Sequence, residues 1–408
     1  MKRSECRNNS FGFRLKRKLS EHFTADPTGW SFMKYTCKWL GKKILQRAKR
    51  GEYKKINLAS ADPATVQVAV RVSGGLGDHI IHARVLRDLA KSVGRVTYII
   101  FAPDPDMVGW IMGEMPEFRA AYPEFLAASD ALNYDCLLYL NTFAVFDEEH
   151  INYLKIQKLA PRLLKIIGCT IKKRRPWNIF IDNHPVLDGA FARQLTAIGG
   201  CRHDFLHSCL GLPPPDMRYS LPLDETVAKQ IQTEFPTYVT INTGFDAMFV
   251  ITTRLAVKCY PTEHWTELVR LLKSAFPKLG VIQIGGGNSV RIPGCDRNLQ
   301  NQTTLTESAG ILRHSLLHID IEGGLVHVCA AIGTRCAVLF GPTSRRYFSY
   351  PGNLGIHAGE CHDCWWATER WMEVCPRGNP RNECMHALTP RMVFEQISPI
   401  LREYGAGS

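Results

Sequence analysis

The sequence predicts an α/β protein built from two Rossmann-like halves, and three observations support this prediction. The chain has 408 residues, and at about 150 residues per domain it is long enough for two or three domains. Apolar strands alternate with amphipathic helices in two separate stretches, which is typical of parallel sheets. A proline-rich segment, GLPPPDMRYSLPL at 211–223, divides these stretches and has the composition of a linker.

The first stretch opens with a strand–helix–strand unit. VQVAVRV (66–72) alternates and is rich in valine, which predicts a strand, and SGGLGD (73–78) is a glycine-rich turn. The spacing of apolar residues predicts a helix over 80–93, and RVTYIIFA (95–102) is the next strand. LNYDCLLYLN (132–141) predicts a further strand, and helix and strand signals alternate to about residue 210.

The second stretch repeats this arrangement. Its strands are predicted at 238–244, 280–287, 316–324 and 336–343, and its helices at 262–276, 307–315 and 325–333. We therefore expect domains at 66–215 and 216–395, preceded by an arm (1–65) and followed by a tail (396–408). Ligands of such a protein bind at the carboxyl ends of the strands, in the cleft between the two halves.

The net charge of +12 lies in the N-terminal arm. Residues 1–55 hold sixteen Lys and Arg against four acidic residues, so the rest of the chain is neutral. A neutral body argues against a nucleic-acid enzyme, whose groove would be basic. Within the arm, residues 31–53 predict a basic amphipathic helix, which either contacts an anionic membrane surface or packs its apolar stripe on the body. No apolar run is long enough to span a membrane and no secretory signal is evident, so we expect a cytoplasmic protein.

Asp78 ends the glycine-rich turn and is the first candidate for chemistry. A carboxylate at this turn would repel a phosphate, and the turn lacks the Lys and Ser/Thr of a phosphate-binding loop. A carboxylate that points into a cleft suits a general base. The alternative is that Asp78 only caps the following helix.

Two later turns contain groups that could bind a diphosphate. INTG (241–244) is followed by Thr252, Thr253, Arg254 and Lys258, and hydroxyls and a lysine after a strand can hold phosphate oxygens. In IEGG (321–324) a strand ends at Glu322, and the helix after the glycines would offer free N–H groups. For the first turn the alternative is an exposed polar loop. His327, on the first turn of that helix, is either a catalytic residue or a packed histidine that is satisfied by the backbone.

Four of the 14 cysteines form a cluster near the C-terminus. Cys361, Cys364, Cys375 and Cys384 have the spacing C-x2-C-x10-C-x8-C, which predicts a structural S₄ site for zinc or iron. His362 and His386 are spare candidate ligands. The alternative is a pair of disulfides or free thiols. Because no export signal is present, the remaining cysteines are interpreted as small buried residues in a reducing compartment.

Taken in order, these blocks resemble glycosyltransferase family nine, the heptosyltransferases of bacterial surface polysaccharide. The matching blocks are LGD (76–78), NTG with KCYPTEHW (242–244, 258–265), EGGLVH (322–327) and FGPT (340–343), and a late cysteine cluster that ends in Cys384-Met385. The resemblance spans about residues 66–395. It implies the GT-B fold, in which two Rossmann-like domains face each other across a cleft, with the acceptor bound by the first domain and the donor by the second.

The resemblance also implies roles for particular residues. Asp78 matches the proposed general base of an inverting transfer, and Lys258 matches the cation that stabilises the departing nucleoside diphosphate. Glu322 stands where many members have Asp in contact with the donor. The other donor-binding candidates are Asn242, Thr252, Thr253, Gly323, Gly324, Leu325 and His327. The family needs no catalytic metal, so the lysine, the hydroxyls and the helix dipole would neutralise the diphosphate.

Glu322 in place of Asp, the cysteine cluster and the YPGN segment resemble a branch that heptosylates autotransporter proteins, whose late cysteines bind iron and whose members form large oligomers. Three functions are therefore considered. The first is transfer of a heptose from ADP-heptose to a lipopolysaccharide core, at the inner membrane and with the basic arm as a peripheral anchor. The second is transfer to Ser or Thr of a protein. The third is a metal-stapled binding protein without activity. We expect a nucleotide-sugar donor, no nucleic-acid partner, and either a monomer or an oligomer.

Overall fold

The computed structural model describes residues 63–127, 133–244, 256–286, 289–368 and 370–403. Residues 61–408 belong to one compact unit. The predicted arm (1–65), with its basic helix at 31–53, lies outside the described residues except for its last three. Thr252, Thr253 and Arg254 also lie outside them.

The first half is built on a five-stranded sheet of order β3-β2-β1-β4-β5, parallel except for β5. Its strands are β1 (Val66–Val72), β2 (Val96–Ala102), β3 (Phe118–Pro123), β4 (Cys136–Leu140) and β5 (Ala144–Ile151). Helix α1 (Leu76–Val93) connects β1 to β2, and α2 (Pro105–Met112) connects β2 to β3. All seven residues of β2 are buried, as expected for a central parallel strand that is covered on both faces.

Five helices follow β5 without another strand, so the predicted alternation to residue 210 is wrong for this part of the half. They are α3 (Tyr153–Leu159), α4 (Pro161–Lys173), α5 (Asn178–Asp182), α6 (Asp188–Ala197) and α7 (Phe205–Leu210). In α4, Leu163, Ile166, Ile167 and Thr170 are buried on one face, which explains why this apolar stretch packs as a helix. Residues 212–225 form neither helix nor strand and lead into the second half.

The second half has a six-stranded, all-parallel sheet of order β11-β10-β9-β6-β7-β8. Its strands are β6 (Tyr238–Ile241), β7 (Gly280–Gln283), β8 (Arg297–Asn298), β9 (His318–Ile321), β10 (Cys336–Leu339) and β11 (Leu354–Ile356). Its helices are α8 (Thr226–Glu234), α9 (Thr262–Ala275), α10 (Leu305–His314), α11 (Gly324–Ile332), α12 (Arg345–Phe348), α13 (Glu383–His386) and α14 (Pro390–Glu403). The predicted α/β architecture of two Rossmann-like halves is confirmed.

The C-terminal residues 396–408 are not simply a tail, because helix α14 continues through Glu403. Val393, Ile397 and Leu401 recur every four residues along this helix and are fully buried, in a core shared with α9. The sequence contains this helical spacing, although Pro399 interrupts it. The packing of that apolar face keeps the segment helical beyond residue 395.

An aromatic cluster joins the two halves. Phe143, Phe191 and Phe205 of the first half pack with Tyr347 of the second, and Trp365 packs against the same cluster. The rings meet edge to face or tilted, the arrangements that aromatic pairs favour. Among the described helices, none has the length and apolar character required to cross a bilayer.

Candidate active site

The turn between β1 and α1 places Asp78 in the first turn of the helix. Gly74 has φ +111°, and a Cβ atom there would lie 2.3 Å from Asp78 Oδ2, so glycine lets the carboxylate fold back over the turn. Asp78 Oδ2 accepts the Gly75 N–H at 3.2 Å. One carboxylate oxygen therefore stabilises the start of α1, which is part of the capping role considered as the alternative to catalysis.

The second oxygen of Asp78 binds Arg202, which the sequence analysis did not identify. Arg202 Nη2 donates to Asp78 Oδ1 at 2.6 Å. The arginine lies just before α7, only 5% of its side chain is exposed, and its backbone N–H donates to Tyr347 O of the second half. Asp78 keeps 39% of its side-chain surface exposed. Each carboxylate oxygen retains a free lone pair, so the group can still accept a proton from a substrate.

The surroundings of Asp78 keep it ionised. Burial raises the pKa of its carboxyl, but the neighbouring Arg202 guanidinium outweighs this, and the pKa lies well below its usual range. His82 itself stays neutral, because burial lowers the pKa of its ring to about 3. An ionised carboxylate at the end of a strand of a parallel sheet has the charge state and position of a general base.

Helix α11 begins opposite α1, and the first turns of the two helices pack against each other. A Cβ atom on Gly324 would lie 3.1 Å from the Leu76 side chain, and one on Gly77 would lie 2.6 Å from His327 Nε2. The predicted turn Glu322–Leu325 is therefore brought next to Asp78. Burial raises the pKa of Glu322, and Asp78 adds to this effect while Lys258 opposes it.

Lys258 contacts the same turn. Its Nζ donates to the backbone oxygen of Glu322 at 3.0 Å and lies 3.8 Å from Glu322 Oε2. About 15% of each side chain is exposed, so both charged groups are largely buried. The structure thus brings together Lys258, Glu322 and the start of α11, while Thr252 and Thr253 lie outside the described residues.

Asn242 is used inside the second half. Its Nδ2 donates to both carboxylate oxygens of Asp320 at 3.1 Å, and its Oδ1 accepts the Gly244 N–H at 3.1 Å. Asp320 is fully buried and is also bound by His318 Nε2 at 3.2 Å. Gly285 has φ +135°, and a Cβ atom added there would lie 2.5 Å from Asn242 Oδ1, so the backbone passes close to this amide. The amide therefore connects the ends of two neighbouring strands, close to the Glu322–Leu325 turn.

His327 packs at the junction of the helices. Its Nδ1 lies 2.7 Å from the Tyr350 hydroxyl, and burial lowers the pKa of the ring to about 3, although Asp78 opposes this. His327 is therefore neutral. It is both packed, as the simpler interpretation held, and adjacent to Asp78.

The four late cysteines lie near one another without forming a finished metal site. Burial raises the pKa of Cys384 to about 12 and that of Cys364 to about 11, and in both cases neighbouring thiols of the cluster add to the effect. The twelve described cysteines are all unpaired, so the described chain has no disulfide. Over the described ranges, no group of three or more His, Cys, Asp or Glu side chains has the arrangement of a metal site. The donor set, sulfur alone, suits zinc or iron.

The cysteine loop (361–384) supports the residues around Lys258. Asn382 Nδ2 donates to the backbone oxygens of Val257 and Cys259, at 2.9 and 2.8 Å, and the Val257 N–H donates to Met372 O. At its other end, the N–H of Trp365 donates to Pro342 O in the FGPT turn. The loop therefore holds the backbone on both sides of Lys258.

Four residues of this region were missed by sequence reasoning. Arg202 and Asp78 are 124 positions apart, and Arg84 and Tyr350 are 266 apart, so no local pattern links them. Asp320 did leave a signal, since His318 and Asp320 are polar at alternate positions of an otherwise apolar strand.

Comparisons with known proteins show similarity to glycosyltransferases. Residues 165–362 match the family model of glycosyltransferase family 9 (heptosyltransferase). The iron-containing dodecameric glycosyltransferase TibC from enterotoxigenic E. coli is similar, with 16% identity over 83% of this chain and 78% of that one and a TM-score of 0.52. TibC in complex with ADP-D-beta-D-heptose has 15% identity over 84% and 79%, with a TM-score of 0.53. The E. coli ADP-heptose lps heptosyltransferase II has 16% identity over 83% and 99%, with a TM-score of 0.49. No curated protein matches the sequence.

The protein has the GT-B fold, in which two Rossmann-like halves meet at two helix N-termini, here with a carboxylate on one side and a lysine on the other. The match to the family model agrees with this fold. The chain is a heptosyltransferase-like glycosyltransferase that resembles family nine, as the motifs predicted.

Proposed function

We propose that the protein transfers a heptose from ADP-heptose to the core of lipopolysaccharide, with inversion of the anomeric carbon. The observation that supports this best is the position of ionised Asp78 directly across from the Glu322–Leu325 turn and Lys258. The acceptor hydroxyl would be bound on the Asp78 side and the donor diphosphate on the Lys258 side. This arrangement needs no catalytic metal, because protein cations and N–H groups surround the leaving group.

In this mechanism the acceptor oxygen attacks the anomeric carbon while the bond from that carbon to the diphosphate oxygen breaks. Asp78 takes the proton from the acceptor hydroxyl, and ADP leaves with the electron pair. Because the pKa of Asp78 is low, the proton moves as the attacking oxygen becomes acidic. Lys258 and the free N–H groups of Gly324 and Leu325, at the start of α11, would stabilise the charge on the departing ADP.

The remaining donor-side residues have supporting roles in the proposal. Glu322 would accept hydroxyls of the donor, Gly323 would let the backbone approach the phosphates, and His327 would donate to them. Thr252 and Thr253 would add hydroxyl contacts. Asn242 is assigned a positioning role, because its amide is already bound to Asp320.

A protein acceptor is the second candidate. Glu322 in place of Asp, together with the cysteine loop, favours it, and a TibC structure with ADP-D-beta-D-heptose bound is among the similar folds. In that case, Ser or Thr of an autotransporter would replace the lipopolysaccharide hydroxyl. We further propose a structural zinc or iron bound by Cys361, Cys364, Cys375 and Cys384, a cytoplasmic location at the inner membrane, and assembly into an oligomer. An inactive metal-stapled protein is the remote alternative.

The test is calorimetric titration with ADP-heptose, ADP and UDP-sugars, followed by transfer assays with purified lipopolysaccharide core and with a lipid-free acceptor protein. Binding of ADP-heptose in preference to UDP-sugars would support the donor. The Asp78→Asn variant should lose transfer without weakened donor binding. Retained transfer in this variant would remove Asp78 as the base, and failure to bind any sugar nucleotide would favour the inactive alternative.

A further inference from the structure

Arg84 is a buried cation that the proposed chemistry does not use. It lies in α1, and only 1% of the residue is exposed. Its Nη1 donates to the Tyr350 hydroxyl at 2.8 Å, and its guanidinium lies 5.2 Å from the centre of the Tyr350 ring. Its Nε and Nη2 have no partner within the described residues. Tyr350 therefore provides both the hydrogen-bond acceptor and the aromatic face that stabilise this charge.

The bond from Arg84 decides where the proton of Tyr350 goes. An arginine can only donate, so one lone pair of the Tyr350 oxygen is occupied and its single proton remains to be placed. The His327 Nδ1 atom lies 2.7 Å away and can accept it. If Nδ1 donated instead, the tyrosine proton would have no acceptor in a residue that is 4% exposed, and an unmade buried hydrogen bond is costly.

The Tyr350 ring is held in place independently of this bond. His203 stacks on it with the ring centres 3.6 Å apart, and His203 Nε2 is fixed by the backbone oxygen of Phe348 at 2.8 Å. The carbonyl can only accept, so His203 carries its proton on Nε2. The tyrosine is therefore clamped between a stacked ring and a guanidinium, which leaves its hydroxyl little freedom to turn away from His327.

The other nitrogen of His327 lies beside the turn that carries Asp78. An added Cβ atom on Gly77 would lie 2.6 Å from His327 Nε2, so this edge of the ring rests against the residue that precedes Asp78. Nε2 has no hydrogen-bond partner in the described part of the chain and is not sealed from solvent. A proton on Nε2 would therefore be available to a ligand bound beside Asp78.

We propose that Arg84 and Tyr350 are positioning residues that hold His327 as the neutral tautomer with its proton on Nε2, directed into the cleft beside Asp78. In the proposed transfer, on which this use of the proton rests, the N–H donates to an oxygen of the donor diphosphate. A neutral donor has an advantage here over an imidazolium, because an imidazolium would pair with Asp78 and compete with the acceptor for it.

The charges around the ring agree with a neutral histidine. Burial lowers the pKa of His327, and Arg84 on α1, Arg202 before α7 and Lys258 lower it further, whereas Asp78 raises it. Tyr350 is held protonated, because burial raises the pKa of its hydroxyl. Both partners of the hydrogen bond thus remain uncharged at neutral pH.

The tautomer can be measured directly by ¹⁵N NMR of the full chain with labelled histidine, and the His327→Gln variant assigns the signals. We expect an unprotonated, hydrogen-bonded Nδ1 and a protonated Nε2. A protonated Nδ1 in the wild-type protein would overturn the proposal. This measurement needs no donor or acceptor, so it is independent of whether ADP-heptose is the substrate.

Tyr350→Phe tests the hydrogen bond from the Tyr350 hydroxyl to His327 Nδ1, and Tyr347→Phe is its matched control. Tyr347 is also fully buried, but its hydroxyl has no partner among the described residues. Tyr350→Phe should move the Nδ1 signal to that of a free ring nitrogen and lower kcat roughly 5- to 10-fold, the loss expected for about one hydrogen bond. Tyr347→Phe should change neither. An unchanged Nδ1 signal in folded Tyr350→Phe would overturn the proposal that Tyr350 fixes the tautomer of His327. An unchanged kcat would overturn the proposal that the Nε2 proton is donated to the diphosphate.

Discussion

Replacing Arg202 with methionine should convert Asp78 into a carboxylate with a higher pKa. The substitution removes the guanidinium that lies 2.6 Å from Asp78 Oδ1, while the burial that raises the pKa of the carboxyl remains. Two unit charges about 4 Å apart interact by about 4 kcal/mol at an effective dielectric constant of about 20. Since 39% of the Asp78 side chain is exposed, solvent screening reduces this to roughly 1–2 kcal/mol, which corresponds to about one pKa unit.

The sign of the effect on activity follows from the role of the base. A protonated Asp78 cannot take the proton from the hydroxyl of the acceptor substrate, so kcat/KM falls as the pH falls through the pKa of Asp78. In the wild-type protein this pKa lies well below the usual range, and the acid limb of the profile should lie there too. In Arg202→Met the limb should move to higher pH by about one unit. At neutral pH, kcat should fall about 10-fold, because the carboxylate loses the group that orients it.

The assay is a set of pH profiles of kcat/KM for the wild type, Arg202→Met, Arg202→Lys and Arg193→Met. Arg193 is exposed and has no ion pair among the described residues, so its variant controls for loss of a positive charge. The lysine variant keeps the charge and should shift the limb less than methionine does. An acid limb at the same pH in folded Arg202→Met and wild-type protein would refute the reasoning.

Three further predictions concern the support of the site. Asn382→Ala removes two hydrogen bonds to the backbone on either side of Lys258. The free energy of unfolding should fall by about 1–2 kcal/mol, measured by thermal melting, and calorimetry should show weaker ADP binding. Gly77→Ala would place a methyl group 2.3 Å from the His327 ring. We expect overpacking to lower the free energy of unfolding by about 1–3 kcal/mol and to cause a large fall in kcat. A normal kcat would contradict the tight packing of α1 on α11. Cys361→Ser should lower the melting temperature and the bound metal before it alters chemistry, and full metal content with unchanged melting would rule out the structural site.

The fold could be predicted because its signals are local. Parallel strands that are covered on both faces are largely apolar, as in the seven buried residues of β2, and the amphipathic spacing of α9 is equally clear. The position of Asp78 could be predicted for a similar reason. It follows a strand and a glycine turn, and the chain direction places every such turn at the same edge of the sheet.

The partners of the site residues could not be predicted, because packing between the two halves creates them. Nothing near Arg202 indicates that it lies against Asp78, and its burial follows from the docking of its loop against Tyr347. Asn242 was expected to contact the donor, but its amide is bound to Asp320, which lies on the neighbouring strand β9. A motif places a residue at the edge of a sheet, whereas the contacts of its side chain depend on which strand pairs next to it.

The two helix N-termini differ in one respect that favours binding of the anion by the second half. Helix α1 carries Asp78 in its first turn, while α11 has no acidic residue in its first turn. The positive end of α1 is therefore neutralised by its own carboxylate, and the free N–H groups of α11 remain for the diphosphate. The donor should consequently bind to the second half, with Lys258 beside it.

This asymmetry predicts that Asp78→Asn binds ADP more tightly than the wild type. The variant removes a negative charge that faces the diphosphate, and one charge at a helix N-terminus changes the binding free energy by about 0.3–1 kcal/mol, a roughly 2- to 5-fold change in Kd. Asp104→Asn is the control, since Asp104 caps α2 in the same half through the Met107 N–H. Calorimetry should show tighter ADP binding for Asp78→Asn alone. Weaker binding would mean that Asp78 contacts the donor itself. The prediction that the diphosphate binds at the N-terminus of α11 and not at that of α1 would then be wrong.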